Sequence, residues 1–315
     1  MCYSAIVIEA WKRYALATGA HLDIREFEAA YYPEEREKRI DRIRRKRGKT
    51  VKGMDDWVRQ EAPELAPLID ERDSAEISKL EQEVFKQAKR LADGERAMAV
   101  KPTKKASEDV RIATNKIGQT KAKLVDLKRT ESKPKDWRFF PGMWAPVIVS
   151  EGGKKVVKPM RYGCRPAGKP AFYDTKYPGT YNARRDNLEG FWKGTFGVSH
   201  GLVVLSTFFE NVEVEGKNQV LQFTPKDNSY MLVACLWSHW TDPAGKESDL
   251  LSFAAITDDP EPEVAAAGHD RTIINIKPEH VDAWLNPDPA NLDALYAIFD
   301  DKQHPFYEHQ LEKAA

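Results

Sequence analysis

The second half of the sequence is a succession of short strand-like segments, and this feature constrains the fold most. The segments are rich in β-branched and aromatic residues, and turn residues separate them. They comprise residues 146–150, 201–209, 220–224, 230–237, 250–256 and 272–276. Short strands in close succession predict a mostly antiparallel sheet that curls towards a barrel. A further strand is predicted at 3–8, so the N-terminal residues are expected to join the same β-rich core.

Residues 22–136 have a different pattern and predict a helical insertion. Two sets of residues recur at steps of three and four, as in a coiled coil. They are Ile77, Leu80, Val84, Gln87 and Leu91, then Val110, Ala113, Ile117, Thr120, Leu124 and Leu127. Asp73-Ser74 and Ser107-Glu108-Asp109 are predicted N-terminal caps, and Gly94 and Pro102 mark the gap between the two segments. The pattern therefore predicts a helical hairpin.

Together these patterns predict an α+β fold with a discontinuous core. The core comprises residues 1–21 and 137–299, the charged helical insertion comprises 22–136, and a C-terminal tail comprises 300–315. Peripheral helices are predicted at 9–19 and at 278–285, the second beginning at a proline.

Charge is balanced over the whole chain but not along it. Lys plus Arg and Asp plus Glu both number 49, which gives no overall bias towards nucleic acid. Residues 34–52 hold ten basic against four acidic residues, and residues 101–138 hold twelve against five. Residues 241–301 are acidic. The basic run Arg44 to Arg47 fits either a solvated helix face or an arm that contacts phosphates, and the sequence leaves both open.

Cysteine usage and hydropathy predict a cytoplasmic protein. Cys2, Cys164 and Cys235 have no CxxC spacing and are odd in number, which argues against a disulfide framework. No stretch approaches ~20 apolar residues, so we expect no membrane partner. We also expect no metal and no cofactor, because His304 and His309 lack further ligands nearby in sequence that would complete a metal shell.

Cys2 is a candidate N-terminal nucleophile. Once Met1 is removed, an α-amine with a pKa of ~8 lies beside a thiol with a pKa of ~8.5. This pair can capture an aldehyde as an imine and then close a five-membered thiazolidine ring. A cysteine at the second position is more often an ordinary small residue, so the hypothesis depends on motifs elsewhere.

Three later motifs carry groups suited to such chemistry. In the run Tyr181 to Asp186, the Asn182 carboxamide can orient a substrate and Arg184 can hold a phosphate. Glu210 ends an apolar strand, where a carboxyl group can transfer protons. His269 precedes another strand and can shuttle protons near neutral pH. Each residue taken alone is equally compatible with a structural role.

The ordered set resembles the SOS response-associated peptidase (SRAP) family, whose members sense abasic sites in single-stranded DNA. That family has an N-terminal Met-Cys, then Asn-Ala-Arg-x-acidic, then aromatic-Glu, then His-Asp-Arg. Met1-Cys2, Asn182-Ala183-Arg184-Arg185-Asp186, Phe209-Glu210 and His269-Asp270-Arg271 follow in the same order. Supporting matches begin at Tyr162, Ala234 and Ala255, and the resemblance covers residues 1–20 and about 139–286.

The resemblance implies a role for each matched residue. Cys2 would form the thiazolidine with the abasic aldehyde, and the same site would remove Met1. Asn182 would position Cys2 or the opened sugar. Glu210 and His269 would transfer protons. Three further residues would contact DNA, with phosphates expected at the arginines: Arg184, Arg271 and Thr257.

Some positions depart from the family pattern, and two other functions stay open. Tyr3-Ser4, Asn211 and Ile273 stand where the family usually has Gly-Arg, Trp and Pro. The basic insertion is expected to supply extra DNA contacts or to bind a protein partner. The rival hypotheses are an N-terminal-nucleophile peptidase or amidohydrolase, and a non-enzymatic module that binds nucleic acid or protein.

Overall fold

The computed structural model describes residues 4–7, 19–22, 52–214, 216–242, 244–245, 247 and 249–312. Cys2, residues 9–18 of the predicted helix and the basic run at 44–47 lie outside the described residues. The chain divides into two compact units, Met1–Trp57 with Pro134–Ala315, and Val58–Lys133. The first unit contains a curled sheet and the second a helical hairpin, so the predicted α+β class is confirmed.

Twelve strands form one sheet within the described part of the chain. They are β1 (Ser4–Val7), β2 (His21–Leu22), β3 (Arg138–Phe139), β4 (Trp144–Glu151), β5 (Lys154–Tyr162), β6 (Asn182–Arg184), β7 (His200–Val214), β8 (Lys217–Pro225), β9 (Met231–Trp240), β10 (Leu250–Asp258), β11 (Thr272–Ile273) and β12 (Tyr307–Leu311). All six segments predicted after residue 139 contain strand, although only the first two residues of 272–276 do so.

Five of these strands close a barrel. β10 pairs with β5 in parallel, and the antiparallel pairs β5–β4, β4–β7, β7–β9 and β9–β10 complete the circuit. β7 has 15 residues, and its second half extends to pair with β8 and β1. Apolar side chains such as Val147, Val204 and Val233 form the core, because their burial away from water is favourable. The predicted first strand is confirmed, with Ser4 aligned to Phe209 of β7.

Five strands were not predicted from the sequence, namely β2, β3, β5, β6 and β12. β5 contains Lys158 and Pro159, which interrupt a hydrophobic pattern and argue against a central strand. In the structure Lys158 is buried, but its ammonium group lies 2.6 Å from the Glu151 carboxylate. β12 pairs with β8, and of its residues only Tyr307 is buried. Residues predicted as a C-terminal tail therefore contribute an edge strand.

The helices are short in the first unit and long in the second. They are α1 (Lys52–Glu61), α2 (Ala66–Val100), α3 (Lys104–Lys128), α4 (Tyr173–Lys176), α5 (Pro262–Ala266), α6 (Val281–Leu285) and α7 (Leu292–Asp300). α2 and α3 pack on each other through the two predicted stripes. A 3-10 turn from Pro278 leads into α6, close to the predicted helix start. Among the described residues, no helix combines the length and apolar character needed to cross a membrane.

Pro102 lies in the gap between α2 and α3 as predicted, but the other predicted ends of the hairpin helices were wrong. α2 begins at Ala66 with a proline in its first turn, so Asp73 lies inside the helix and bonds Arg72. Gly94 also lies inside α2. A Cβ there would lie 3.0 Å from Val110 Cγ2, so glycine permits close approach of α3 rather than ending the helix. The cap of α3 is Thr103, whose Oγ1 accepts a hydrogen bond from the Ala106 N–H at 3.1 Å.

Candidate active site

Glu210 and His269 form a buried acid–base pair. Glu210 lies on β7, opposite Leu221 of β8, and is 1% exposed. His269 lies on the turn between α5 and β11, where Gly268 takes a positive φ of 90°. The His269 Nε2 atom is 3.3 Å from the Glu210 Oε2 atom. Two residues 59 positions apart in sequence are thus in contact, at a distance just beyond the roughly 2.6–3.2 Å of a direct proton-transfer hydrogen bond.

The His269 ring can carry its proton on either nitrogen. Nδ1 can donate to the Arg271 carbonyl oxygen at 2.9 Å, or accept from the Arg271 N–H at 3.3 Å. In the first case Nε2 accepts a proton from a protonated Glu210, and in the second it donates to the carboxylate. Burial lowers the pKa of His269, so its imidazole is neutral near pH 7. A neutral imidazole that can adopt either tautomer is suited to a proton relay.

Asn182 presents an unused amide donor. It is the first residue of β6, lies opposite Ala255 of β10 and is 7% exposed. Its Oδ1 accepts a hydrogen bond from the Tyr162 hydroxyl at 3.4 Å, whereas its Nδ2 has no hydrogen-bond partner among the described residues. Because an unsatisfied buried donor is costly, such a group is typical of a ligand site.

The three predicted DNA-contacting residues line one cavity of about 510 Å³. Arg184 and Thr257 are aligned across β6 and β10, so their side chains share a face of the sheet, and Arg271 precedes the adjacent β11. The buried Thr257 Oγ1 has no hydrogen-bond partner within the described residues. Arg184 bonds Asp186 at 2.6 Å, but both side chains are about half exposed, so an incoming phosphate can compete for the guanidinium.

Arg138 is a residue of this region that the sequence did not identify. Its Nε donates to the Ser4 hydroxyl at 3.0 Å, and its guanidinium lies 3.6 Å from the Phe209 ring centroid and pairs with Glu312. Ser4 is one of the positions that depart from the family pattern. The contact depends on the pairing of β1 with β3, which no local motif signals. Tyr162 was likewise missed, and its place in the Tyr162 to Pro166 match was the only available signal.

Two other histidines, His304 and His239, contact carboxylates. His304 lies 2.8 Å from Glu263 and 3.5 Å from Glu261, and His239 lies 3.2 Å from Asp249. Within the part of the chain that the structure describes, no group of three or more His, Cys, Asp or Glu side chains is arranged to hold a metal ion. Cys164 and Cys235 are buried free thiols, and burial raises the pKa of Cys164 to about 12.

Three solved structures resemble this chain. A protein from Bordetella bronchiseptica is 17% identical, with a TM-score of 0.46 over 59% of this chain and 90% of that chain. A protein from Bacteroides thetaiotaomicron is 16% identical, with a TM-score of 0.48 over 56% and 78%. A phage-related protein from Bordetella bronchiseptica is 18% identical, with a TM-score of 0.43 over 56% and 82%. Among proteins with curated functions, none matches this chain in sequence.

A family model provides the stronger comparison. The model described as "SOS response associated peptidase (SRAP)" matches residues 97–313, which is more than half of the chain. The match contains Asn182, Glu210 and His269, and it begins after Cys2. The chain belongs to the SOS response associated peptidase family.

Proposed function

We propose that the protein captures abasic sites in single-stranded DNA as a thiazolidine at Cys2 and removes its own Met1. Family membership supports a peptidase-like role associated with DNA damage, and the covalent capture is our finer proposal. The observation that carries it is the buried Glu210–His269 pair, because both steps need protons moved at a protected site.

The chemistry balances without a cofactor. The Cys2 amine adds to the aldehyde carbon of the ring-opened abasic sugar, and loss of one water molecule gives an imine. The Cys2 thiol then adds across the imine, forming a carbon–sulfur bond, while its proton passes to the nitrogen. The Glu210–His269 pair would donate a proton to the departing hydroxyl and regain one from the nitrogen as the imine forms, and it would then relay the thiol proton to that nitrogen. Asn182 Nδ2 would donate to a sugar oxygen.

The position of β1 supports the assignment of Cys2. Ser4 is aligned with Phe209, the neighbour of Glu210 in β7. Two residues of extended chain span at most about 7 Å, so the Cys2 thiol is tethered to this end of β1. Arg138 holds the Ser4 hydroxyl from the adjacent strand, which would restrain the N-terminal residues further.

The cavity around Arg184 supports a DNA substrate. Three guanidinium groups, those of Arg184, Arg185 and Arg271, line it together with the unpartnered Thr257 hydroxyl. Four carboxylates also line it, and two of them are already paired, Asp186 with Arg184 and Asp258 with Arg185. Arginine binds phosphate oxygens through paired N–H groups. Exposed rings lie on the segments on either side of β6, including Phe172, Tyr177 and Phe191. Unpaired bases stack on such rings, which favours single-stranded DNA.

The decisive experiment is crosslinking followed by denaturing electrophoresis. The protein is incubated with single-stranded DNA that contains one abasic site, and with the same DNA after borohydride reduction of the aldehyde. We expect a covalent product only with the intact aldehyde, and an intact mass that lacks Met1. Cys2→Ala should abolish the product. A product of equal yield with Cys2→Ala would overturn the proposal.

Variants of Glu210 and His269 test the acid–base role of the pair. Glu210→Gln should slow crosslinking by roughly 10²- to 10⁴-fold, the usual contribution of a general acid or base. His280→Gln serves as a control for His269→Gln, because His280 contacts Asp301 instead. If Met1 is removed but no DNA product forms, the peptidase hypothesis is favoured over covalent capture.

A further inference from the structure

The helical hairpin has a concave basic surface of its own. A groove of about 520 Å³ lies between the last turns of α2 and the first turns of α3. Its cationic lining residues are Lys86, Lys89, Arg90 and Lys105, which we call the basic groove. Two carboxylates, Asp93 and Asp109, also line it. The groove lies wholly within the unit Val58–Lys133.

Each of the two carboxylates pairs with an arginine, so neither of them neutralises a lysine of the basic groove. Arg90 bonds Asp109 through two N–H groups, at 3.0 and 2.5 Å. Arg96 bonds Asp93 at 2.6 Å. Within the described part of the chain, Lys86, Lys89 and Lys105 form no ion pair. Elsewhere on the hairpin, lysines with a carboxylate nearby do pair, as Lys128 does with Glu81 at 2.8 Å.

The first turn of α3 adds to the positive field. It contains no acidic residue, and Lys104 and Lys105 occupy the positions where a helix favours negative charge. The helix macrodipole and these lysines therefore repel each other. An anion in the basic groove would relieve this repulsion.

An exposed aromatic ring adjoins the basic groove. Phe85 is 77% exposed, although apolar side chains of this size are normally buried. It lies four residues before Lys89 on α2, so the two side chains are neighbours on the helix surface. A basic groove beside an exposed ring is the combination with which proteins bind unpaired nucleic-acid strands.

We propose that the basic groove and Phe85 form a second binding surface for an unpaired nucleic-acid strand. The lysines contact backbone phosphates, and a base stacks on Phe85. The surface is independent of the abasic-site chemistry. Phe85 and Lys89 lie before residue 97, where the family match begins, and Lys105 lies within it.

The test is equilibrium binding of the full-length protein to unmodified oligothymidylate over a series of salt concentrations. Each phosphate contact to a single strand contributes about 0.7 to the slope of log affinity against log salt. The variant Lys86→Gln, Lys89→Gln, Lys105→Gln should therefore reduce that slope by about 2. Phe85→Ala should weaken binding at least about fivefold and leave the slope unchanged.

A matched variant removes three charges elsewhere on the hairpin. Lys79 and Lys128 pair with Glu76 and Glu81, and Lys121 lies away from the basic groove. Lys79→Gln, Lys121→Gln, Lys128→Gln should leave the slope close to that of the wild type. An unchanged slope in the groove variant, or an equal change in both variants, would overturn the proposal.

Crosslinking at saturating abasic DNA distinguishes this proposal from the previous one. It should persist in the groove variant, because Glu210 and His269 are unaltered. If the wild-type protein forms no crosslink but its oligothymidylate slope falls in the groove variant and not in the matched variant, the covalent proposal fails and the groove proposal stands. If crosslinking occurs and the oligothymidylate slope does not depend on the groove lysines, the reverse holds.

Discussion

Acidification should destabilise the protein through His200, a buried histidine at the start of β7. Its Nε2 accepts a hydrogen bond from the Gly197 N–H at 2.8 Å, and its Nδ1 donates to the Trp284 carbonyl oxygen at 3.0 Å. The ring also stacks against Trp284, with 3.9 Å between centroids. These contacts use both ring nitrogens of the neutral form, and burial lowers the pKa of His200 to about 3.

The expected loss of stability follows from proton linkage. In the unfolded chain the pKa of a histidine is about 6.5, so between about pH 6.5 and 3 the unfolded state binds the extra proton. The contribution of neutral His200 is therefore fully present above pH 6.5 and declines as the pH falls. At pH 5, which is about 1.5 units below the unfolded-state pKa, protonation of the histidine stabilises the unfolded state by about 2 kcal/mol.

Urea unfolding at pH 7 and pH 5 measures this loss. Because carboxylates and His269 also titrate, the informative quantity is the difference between the wild type and His200→Gln. Glutamine can donate and accept hydrogen bonds but does not titrate, so this variant should lose about 2 kcal/mol less between the two pH values. His280→Gln, at a more exposed position, should behave as the wild type. Equal losses in the wild type and His200→Gln would refute the reasoning.

Three further substitutions test packing. Gly201→Ala should destabilise the barrel by about 1–3 kcal/mol in urea unfolding, because its Cβ would lie 2.9 Å from Val147 Cγ1 and 3.1 Å from the Ile148 oxygen. Gly118→Ala in α3 should stabilise by about 1 kcal/mol in the same assay, because no atom lies within 4 Å and alanine favours the helix. Arg138→Met should lower the melting temperature and slow Met1 removal, since the guanidinium contact with Ser4 is lost. An Arg138→Met variant with the melting temperature of the wild type would contradict a stabilising role for the Arg138–Ser4 contact.

Periodicity was sufficient for the class of fold. The runs of mostly apolar residues at 201–209 and 250–256 predict buried strands, and the steps of three and four predict the hairpin helices. The helix ends at Asp73 and Gly94 were mispredicted. Both residues have local tendencies that tertiary contacts override: Gly94 meets Val110 of α3, and Asp73 pairs with Arg59 of α1 at 3.5 Å.

In the candidate site too, the sequence identifies the reactive side chains and the tertiary structure sets their geometry. The motifs identify Glu210 and His269 as chemically able residues, since each carries an ionisable group beside an apolar strand. Their separation of 3.3 Å depends on the turn at Gly268 and on the depth of β7 in the sheet. The free donor of Asn182 depends on Tyr162, which bonds only the carbonyl oxygen of the same amide.

The sequence by itself determined the α+β class, four of the five barrel strands, the helical hairpin and the set of candidate reactive groups, because these depend on residue type and short-range spacing. Tertiary structure decided which strands close the barrel, that Lys158 is buried beside Glu151, and that Arg138 reaches Ser4 from a strand 134 residues away. Such contacts join residues that are remote along the chain. Their partners are specified by the packing of the whole core, so no local pattern encodes them.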